Sequence, residues 1–194
     1  MNLIFFLFSF YVIQAQTILC LGDSLTEGYQ LKKEEAYPYL LEQSLKKDFP
    51  QIKVINAGVS GATSASGLKR LSWYLSAKPD VMFLALGAND GLRGLKVEET
   101  YKNLSAIIKE AQNKKIKVVL AGMYVPTNYG KKYADDFRNN YTRLVKEFHL
   151  PFLPFLLEGV AGNPELNLSD GIHPNPKGHL IMTKNILKVL RSSL

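Results

Sequence analysis

Ser24, His173 and Asp170 are the residues of this chain whose types and order could together make a nucleophile. Asp170-Gly171-Ile172-His173 sets a carboxylate three residues ahead of an imidazole, with a glycine between them. A loop of that length can fold back so that the carboxylate accepts a hydrogen bond from one ring nitrogen. The bond fixes the tautomer and leaves the other nitrogen free to take a proton from a hydroxyl. Ser24, in Gly22-Asp23-Ser24-Leu25, is the candidate hydroxyl, because a serine is a weak nucleophile without an adjacent base. Acyl transfer also needs donors for the tetrahedral oxyanion. The backbone N–H groups of Ser24 and Gly61 and the side-chain amide of Asn89 are the candidates. Taken singly, each has a plain reading: a turn serine, a loop glycine, an Asn-Asp-Gly turn, a histidine starting a helix.

Their placement changes that weighing. The apolar run 18–21 ends abruptly in Gly-Asp-Ser and reads as a buried parallel strand. Further strands are expected at 52–55, 81–86, 118–121 and 151–155. Helices are expected at 36–48, 64–76, 97–113, 133–148 and 176–190 from apolar residues at helical spacing. No helix is expected directly after Ser24, so a loop surrounds the serine. Alternating strands and helices imply parallel strands joined by right-handed crossovers, hence a three-layer α/β/α sandwich with about five parallel strands. Ser24, the 58–61 loop and Asn89 each follow a strand. Together with the Asp170–His173 loop they fall at one sheet edge, where open α/β sheets bind ligands.

With 194 residues, 46% of them hydrophobic, the chain is long enough for one domain with a full core. Its net charge is +7, but the lysines and arginines are scattered through helix-like stretches in short pairs. That pattern reads as a solvated basic surface and not as a nucleic-acid groove. A basic surface permits at most transient contact with an anionic membrane. Residues 3–13 are apolar except Ser9, too short a run for a spanning helix, which needs ~20 residues. The run fits a secretory signal peptide over 1–15, with the domain occupying 16–194 and a secreted or periplasmic address. Its alternative is a hydrophobic segment that stays attached. Cys20 is the sole cysteine, so no intramolecular disulfide exists. His149, His173 and His179 lack metal-ligand spacing, and no metal or cofactor is expected. Gly58-Val59-Ser60-Gly61-Ala62 misses the G-x-S-x-G nucleophile elbow at its last position.

Gly22-Asp23-Ser24-Leu25 with Gly28-Tyr29, the 56–63 segment, Gly87-Ala88-Asn89-Asp90-Gly91 and Asp170-Gly171-Ile172-His173-Pro174 resemble the four sequence blocks of the SGNH (GDSL) hydrolases. Within that family they are similar to the bacterial multifunctional acyl-CoA thioesterase I / protease I / lysophospholipase L1 branch. The resemblance covers nearly the whole chain after Gln16. It implies a flavodoxin-like sandwich, Ser24 as nucleophile, His173 as general base and acid, and Asp170 as the residue orienting it. It also implies Ser24, Gly61 and Asn89 as oxyanion donors. Asp23, Leu25 and Ile172 beside these residues, and Asp90, Gly91 and Leu92 in the third block, are expected to contact substrate. Tyr124 and Pro126, after the fourth strand, are expected to do the same. Gly58, Ala62 and Ala88 depart from the branch and bear on substrate preference.

The expected activity is hydrolysis of short-to-medium acyl esters and thioesters, including aryl esters and lysophospholipids, by a monomer through an acyl-enzyme on Ser24. A carbohydrate O-deacetylase of the same fold is the alternative enzyme. A non-catalytic acyl or lipid carrier is the alternative outside catalysis. Met123, Tyr124 and Tyr129 could line an acyl groove or simply pack. Trp73, Tyr101 and the aromatics from Phe148 to Phe155 are expected in the core.

Overall fold

The computed structural model describes residues 16–194. The leader expected at 1–15 lies outside the described residues.

Five parallel strands form the sheet: β1 (Thr17–Gly22), β2 (Lys53–Gly58), β3 (Val81–Ala85), β4 (Lys117–Ala121) and β5 (Phe152–Leu153). Their order is β2-β1-β3-β4-β5. The centre of the sheet explains the continuous apolar runs in the sequence. Ile18, Leu19, Cys20 and Leu21 of β1 and all five residues of β3 are buried, because layers cover both faces. The edge strand β2 carries exposed and half-buried residues instead. The last strand is shorter than the expected 151–155. Pro151 and Pro154 flank it, and neither can donate to a ladder.

The crossover helix α2 (Tyr37–Leu45) and the C-terminal helix α7 (Pro176–Leu190) pack together on one face. The helices α3 (Gly67–Tyr74), α5 (Val97–Asn113) and α6 (Lys131–Phe148) form a row on the other. Chain direction along the sheet reverses between β1 and β3. This is the switch point at which such sheets open a crevice. Ser24 leaves β1 and Asn89 follows β3, so both border it. Among the described residues no helix is long and apolar enough to cross a membrane.

Two expectations fail here. The serine is not surrounded by loop: a one-turn helix, α1 (Ser24–Glu27), begins at Ser24 itself. Asp23 caps it, and a single helical turn is too short to leave a periodic apolar signature. Trp73 is 60% exposed, not core, because it lies two residues past the buried Leu71 and so on the far side of α3.

Candidate active site

The turn after β1 is built to present a hydroxyl. Asp23 Oδ1 accepts the Leu25 N–H at 3.0 Å, and its carbonyl accepts from Thr26 and Glu27. These bonds start the α1 turn at Ser24 with the side chain at the sheet edge. A Cβ on Gly22 would stand 1.8 Å from Thr26 Oγ1, so only glycine lets β1 pass this closely under the turn. Arg70, buried in α3, donates Nη2 to the carbonyls of Gly22 and Ala57 and ties the ends of β1 and β2 together.

The Asp170–His173 loop folds back as its composition suggests. Asp170 Oδ1 accepts the N–H groups of Ile172 and His173, each at 3.0 Å. Its Oδ2 lies 2.7 Å from His173 Nδ1. The His173 N–H holds the Asp170 carboxyl down at about 2, assisted by Ile172 and the ring, so the carboxylate is ionised at any physiological pH. His173 Nε2 sits 2.9 Å from Ser24 Oγ. With Nδ1–H donated to Asp170, Nε2 is the acceptor toward the serine. Downstream, Asn175 caps α7 by accepting from Lys177 and Gly178, and its amide holds the Glu165 carbonyl. The histidine is thereby anchored to the end of a long helix. The phenol of Tyr29 lies against its ring.

Of the three expected oxyanion donors, Ser24 and Asn89 line a cavity of about 270 Å³. Ser24 begins α1, so its N–H has no acceptor within that helix. Asn89, in α4 (Ala88–Leu92), donates Nδ2 to the Ala62 carbonyl at 3.1 Å and keeps a second amide hydrogen. Gly61 lies outside the cavity lining, one residue before that carbonyl. Its φ of +75° is a conformation glycine adopts without strain.

The cavity is mostly apolar. Leu25, Leu92, Tyr124, Pro126 and Ile172 line it, where substrate contacts were expected, and Asp23 borders its floor. Asp90 and Gly91 do not. Asp90 is 2% exposed and accepts from the Ser64 N–H at 2.8 Å, the Ser64 hydroxyl and Thr100. It bolts α4 to the layer beneath. A helical step of ~100° turns it away from the face that Asn89 presents. Gly91 is buried against Val125 and Phe137. Met123 is core at 1% exposure, and Tyr129 packs over Gly94 outside the cavity. Phe155 stacks on Tyr124 with centroids 4.3 Å apart and joins Leu157, Ala161 and Gly162 in the wall. Phe155, expected in the core, forms wall instead, and Leu157, Ala161 and Gly162 were not expected at the site. The segment carries no motif, and the prolines around Phe155 were its only mark.

A hydroxyl, an imidazole and a carboxylate joined by two hydrogen bonds at the carboxyl edge of a parallel sheet define a serine hydrolase on an α/β scaffold. The profile of the GDSL-like Lipase/Acylhydrolase family matches residues 20–181, and the chain belongs to that family. It is 40% identical over 164 residues to an arylesterase of Vibrio mimicus, covering 84% of this chain and 82% of that one. Identity to thioesterase 1/protease 1/lysophospholipase L1 of Escherichia coli K12 is 38% over 170 residues, with 87% and 80% covered. A crystal structure of TesA superposes with a TM-score of 0.88 at 34% identity, covering 92% of this chain and all of that one. The five-stranded parallel sheet flanked by helices is therefore the fold of the SGNH hydrolases.

Proposed function

We propose that this chain hydrolyses short-to-medium acyl esters and thioesters, aryl esters and lysophospholipids among them, with Ser24 as nucleophile. The observation that carries the reading is the continuous hydrogen-bonded path from Asp170 through His173 to Ser24, at 2.7 and 2.9 Å. His173 Nε2 takes the Ser24 proton as Oγ attacks the carbonyl carbon. Asp170, held ionised, stabilises the imidazolium that forms. Charge collecting on the carbonyl oxygen is met by the N–H groups of Ser24 and Gly61 and by Asn89 Nδ2. Collapse expels the alkoxide or thiolate, which leaves with the proton from His173. Water, deprotonated by the same nitrogen, then attacks the acyl-enzyme; the Ser24 Oγ–acyl bond breaks, His173 returns the proton to Oγ, and the acid is freed.

The arylesterase and thioesterase relatives support the ester and thioester range. The cavity, about 270 Å³ and walled by Leu92, Tyr124, Phe155 and Ile172, suits a short apolar chain and sits at the small end of ligand pockets. The apolar stretch at 3–13 supports secretion or a periplasmic address. N-terminal sequencing of the mature protein reads that directly, with Gln16 as the expected first residue.

A fluorophosphonate probe tests the reaction. Stoichiometric labelling that disappears in Ser24→Ala, together with turnover of nitrophenyl butyrate, is the expected result. A folded protein that neither labels nor turns over esters would be a carrier. Release of acetate from acetylated sugars in preference to longer acyl groups would make it a deacetylase.

A further inference from the structure

The oxyanion donors proposed above come from three separate connections: α1, the loop after β2, and α4. The middle one is the least supported by packing. Val59, Ser60 and Gly61 are all exposed, so burial does not hold the Gly61 peptide in place. Two charged side chains outside the cavity grip it instead.

Glu27 is the last residue of α1, three positions after the nucleophile. Its Oε2 accepts the Ser60 N–H at 2.8 Å and also the Ser60 hydroxyl. Its backbone carbonyl accepts Asn56 Nδ2 at 3.2 Å, registering the start of the same loop against α1. Arg93 is the residue just past α4, four positions after Asn89. Its Nη2 donates to the Gly61 carbonyl at 3.0 Å. The Asn89 amide holds the next carbonyl, that of Ala62. The peptide entering Ser60 is thus fixed from the nucleophile's helix, and the peptide leaving Gly61 is fixed from the Asn89 helix. Between them lies the Ser60–Gly61 peptide, which carries the Gly61 N–H. With both neighbours held, its direction is set.

We infer that Glu27 and Arg93 are positioning residues that aim the Gly61 N–H at the oxyanion and couple the three donor loops into one unit. The inference rests on the donor role proposed for Gly61. Each side chain makes a charge-assisted bond, the stronger kind, to a group that water would otherwise solvate. A donor that swings out of line is lost mainly where negative charge develops, so the effect falls on the transition state.

Glu27→Ala and Arg93→Ala are therefore expected to lower kcat by roughly 10- to 100-fold with KM for nitrophenyl butyrate nearly unchanged. Glu27→Gln keeps an oxygen acceptor and Arg93→Lys keeps a donor, so each is expected to recover most of the loss. Thermal melts and near-ultraviolet circular dichroism on the same samples check folding. Unchanged kcat in both alanine variants overturns the inference. So does a rise in KM at constant kcat, which would mean contact with substrate. So does loss of activity that tracks loss of melting temperature and is not recovered by Gln or Lys. Ser24→Ala run alongside separates the two proposals: if it retains turnover, the reading of the active site fails first.

Discussion

The phenol ring of Tyr29 lies against the imidazole of His173, with centroids 4.4 Å apart and planes tilted by 35°. Tyr29 follows Gly28, which closes the α1 turn in a left-handed conformation, so the turn that presents Ser24, the proposed nucleophile, also walls the histidine bonded to it. The contact limits rotation of the ring about its side-chain bonds while leaving both nitrogens to their partners. Such a contact is worth about 0.5–1.5 kcal/mol, or roughly 2- to 12-fold in rate. Tyr29→Ala is expected to lower kcat within that range, and Tyr29→Phe to leave it near wild type, since the ring and not the hydroxyl makes the contact. Steady-state kinetics on both variants check this; an equal loss in Phe and Ala would assign the effect to the hydroxyl.

Asp170 remains charged across the working range because the His173 and Ile172 N–H groups hold its carboxyl at about 2. Asp170→Asn keeps the shape but offers an amide to Nδ1 where an acceptor stood. The wrong tautomer is then favoured, with Nε2 protonated and useless as a base toward Ser24. A kcat loss on the order of 10³–10⁴ is expected, with the melting temperature little changed. Fluorophosphonate labelling should slow in parallel. A variant that labels at the wild-type rate would refute the orienting role.

Two buried titrating groups act oppositely on stability. His179 is 1% exposed in α7, its Nδ1 accepts the Tyr37 N–H at 3.1 Å, and burial lowers it from 6.5 to about 4. The unfolded chain protonates this ring first, so its contribution is whole above pH 6.5 and lost as pH falls through 4. Burial raises Asp23 from 3.8 to about 7, against the lowering pull of the Leu25 N–H and Arg70. Its contribution is whole below pH 3.8 and lost as pH rises through 7. The His179 shift is worth roughly 3 kcal/mol and the Asp23 shift roughly 4 kcal/mol, and the two oppose each other between pH 4 and 6.5. Relative to wild type, Asp23→Asn is expected to gain melting temperature as pH rises from 4.5 to 7. His179→Asn is expected to lose it over the same interval. Scanning calorimetry at both pH values checks the signs; variants that run parallel to wild type would refute the assignment.

The Tyr124–Phe155 stack closes one wall of the cavity proposed to take the acyl chain. Phe155→Ala removes a half-buried ring and lengthens the space available. Each additional buried methylene is worth about 0.8 kcal/mol, or roughly fourfold. The ratio of kcat/KM for octanoyl over butyryl nitrophenyl ester is expected to rise by at least fourfold. A fall in that ratio would show that the chain binds along another wall.

Much of this site was legible in the chain because its chemistry is local. Asp170 and His173 sit in one loop. Gly22, Asp23 and Ser24 share one turn, and the apolar runs before Ser24 and Asn89 announce central strands. Side-chain direction was not legible where neighbours diverge. Asn89 and Asp90 are adjacent, yet a helical step aims one at the cavity and the other at Ser64. Leu71 and Trp73 are split in the same way across α3. His179 reads as an ordinary helical residue, and only the packing of α7 on α2 buries it.

By itself, then, the sequence determined the alternation of strands and helices, the edge of the sheet that carries the polar loops, and which serine, histidine and aspartate stand ready to be joined there. Those follow from local periodicity and from residue type. Tertiary structure alone decided that Phe155 faces Tyr124 and that Asp90 is a bolt. It alone brought Glu27 and Arg93, 66 positions apart by their numbers, onto the two peptides that flank the Ser60–Gly61 peptide. The reason is physical: such contacts are chosen by how layers pack and how crossovers place separate loops side by side, and no periodicity along the chain encodes that choice.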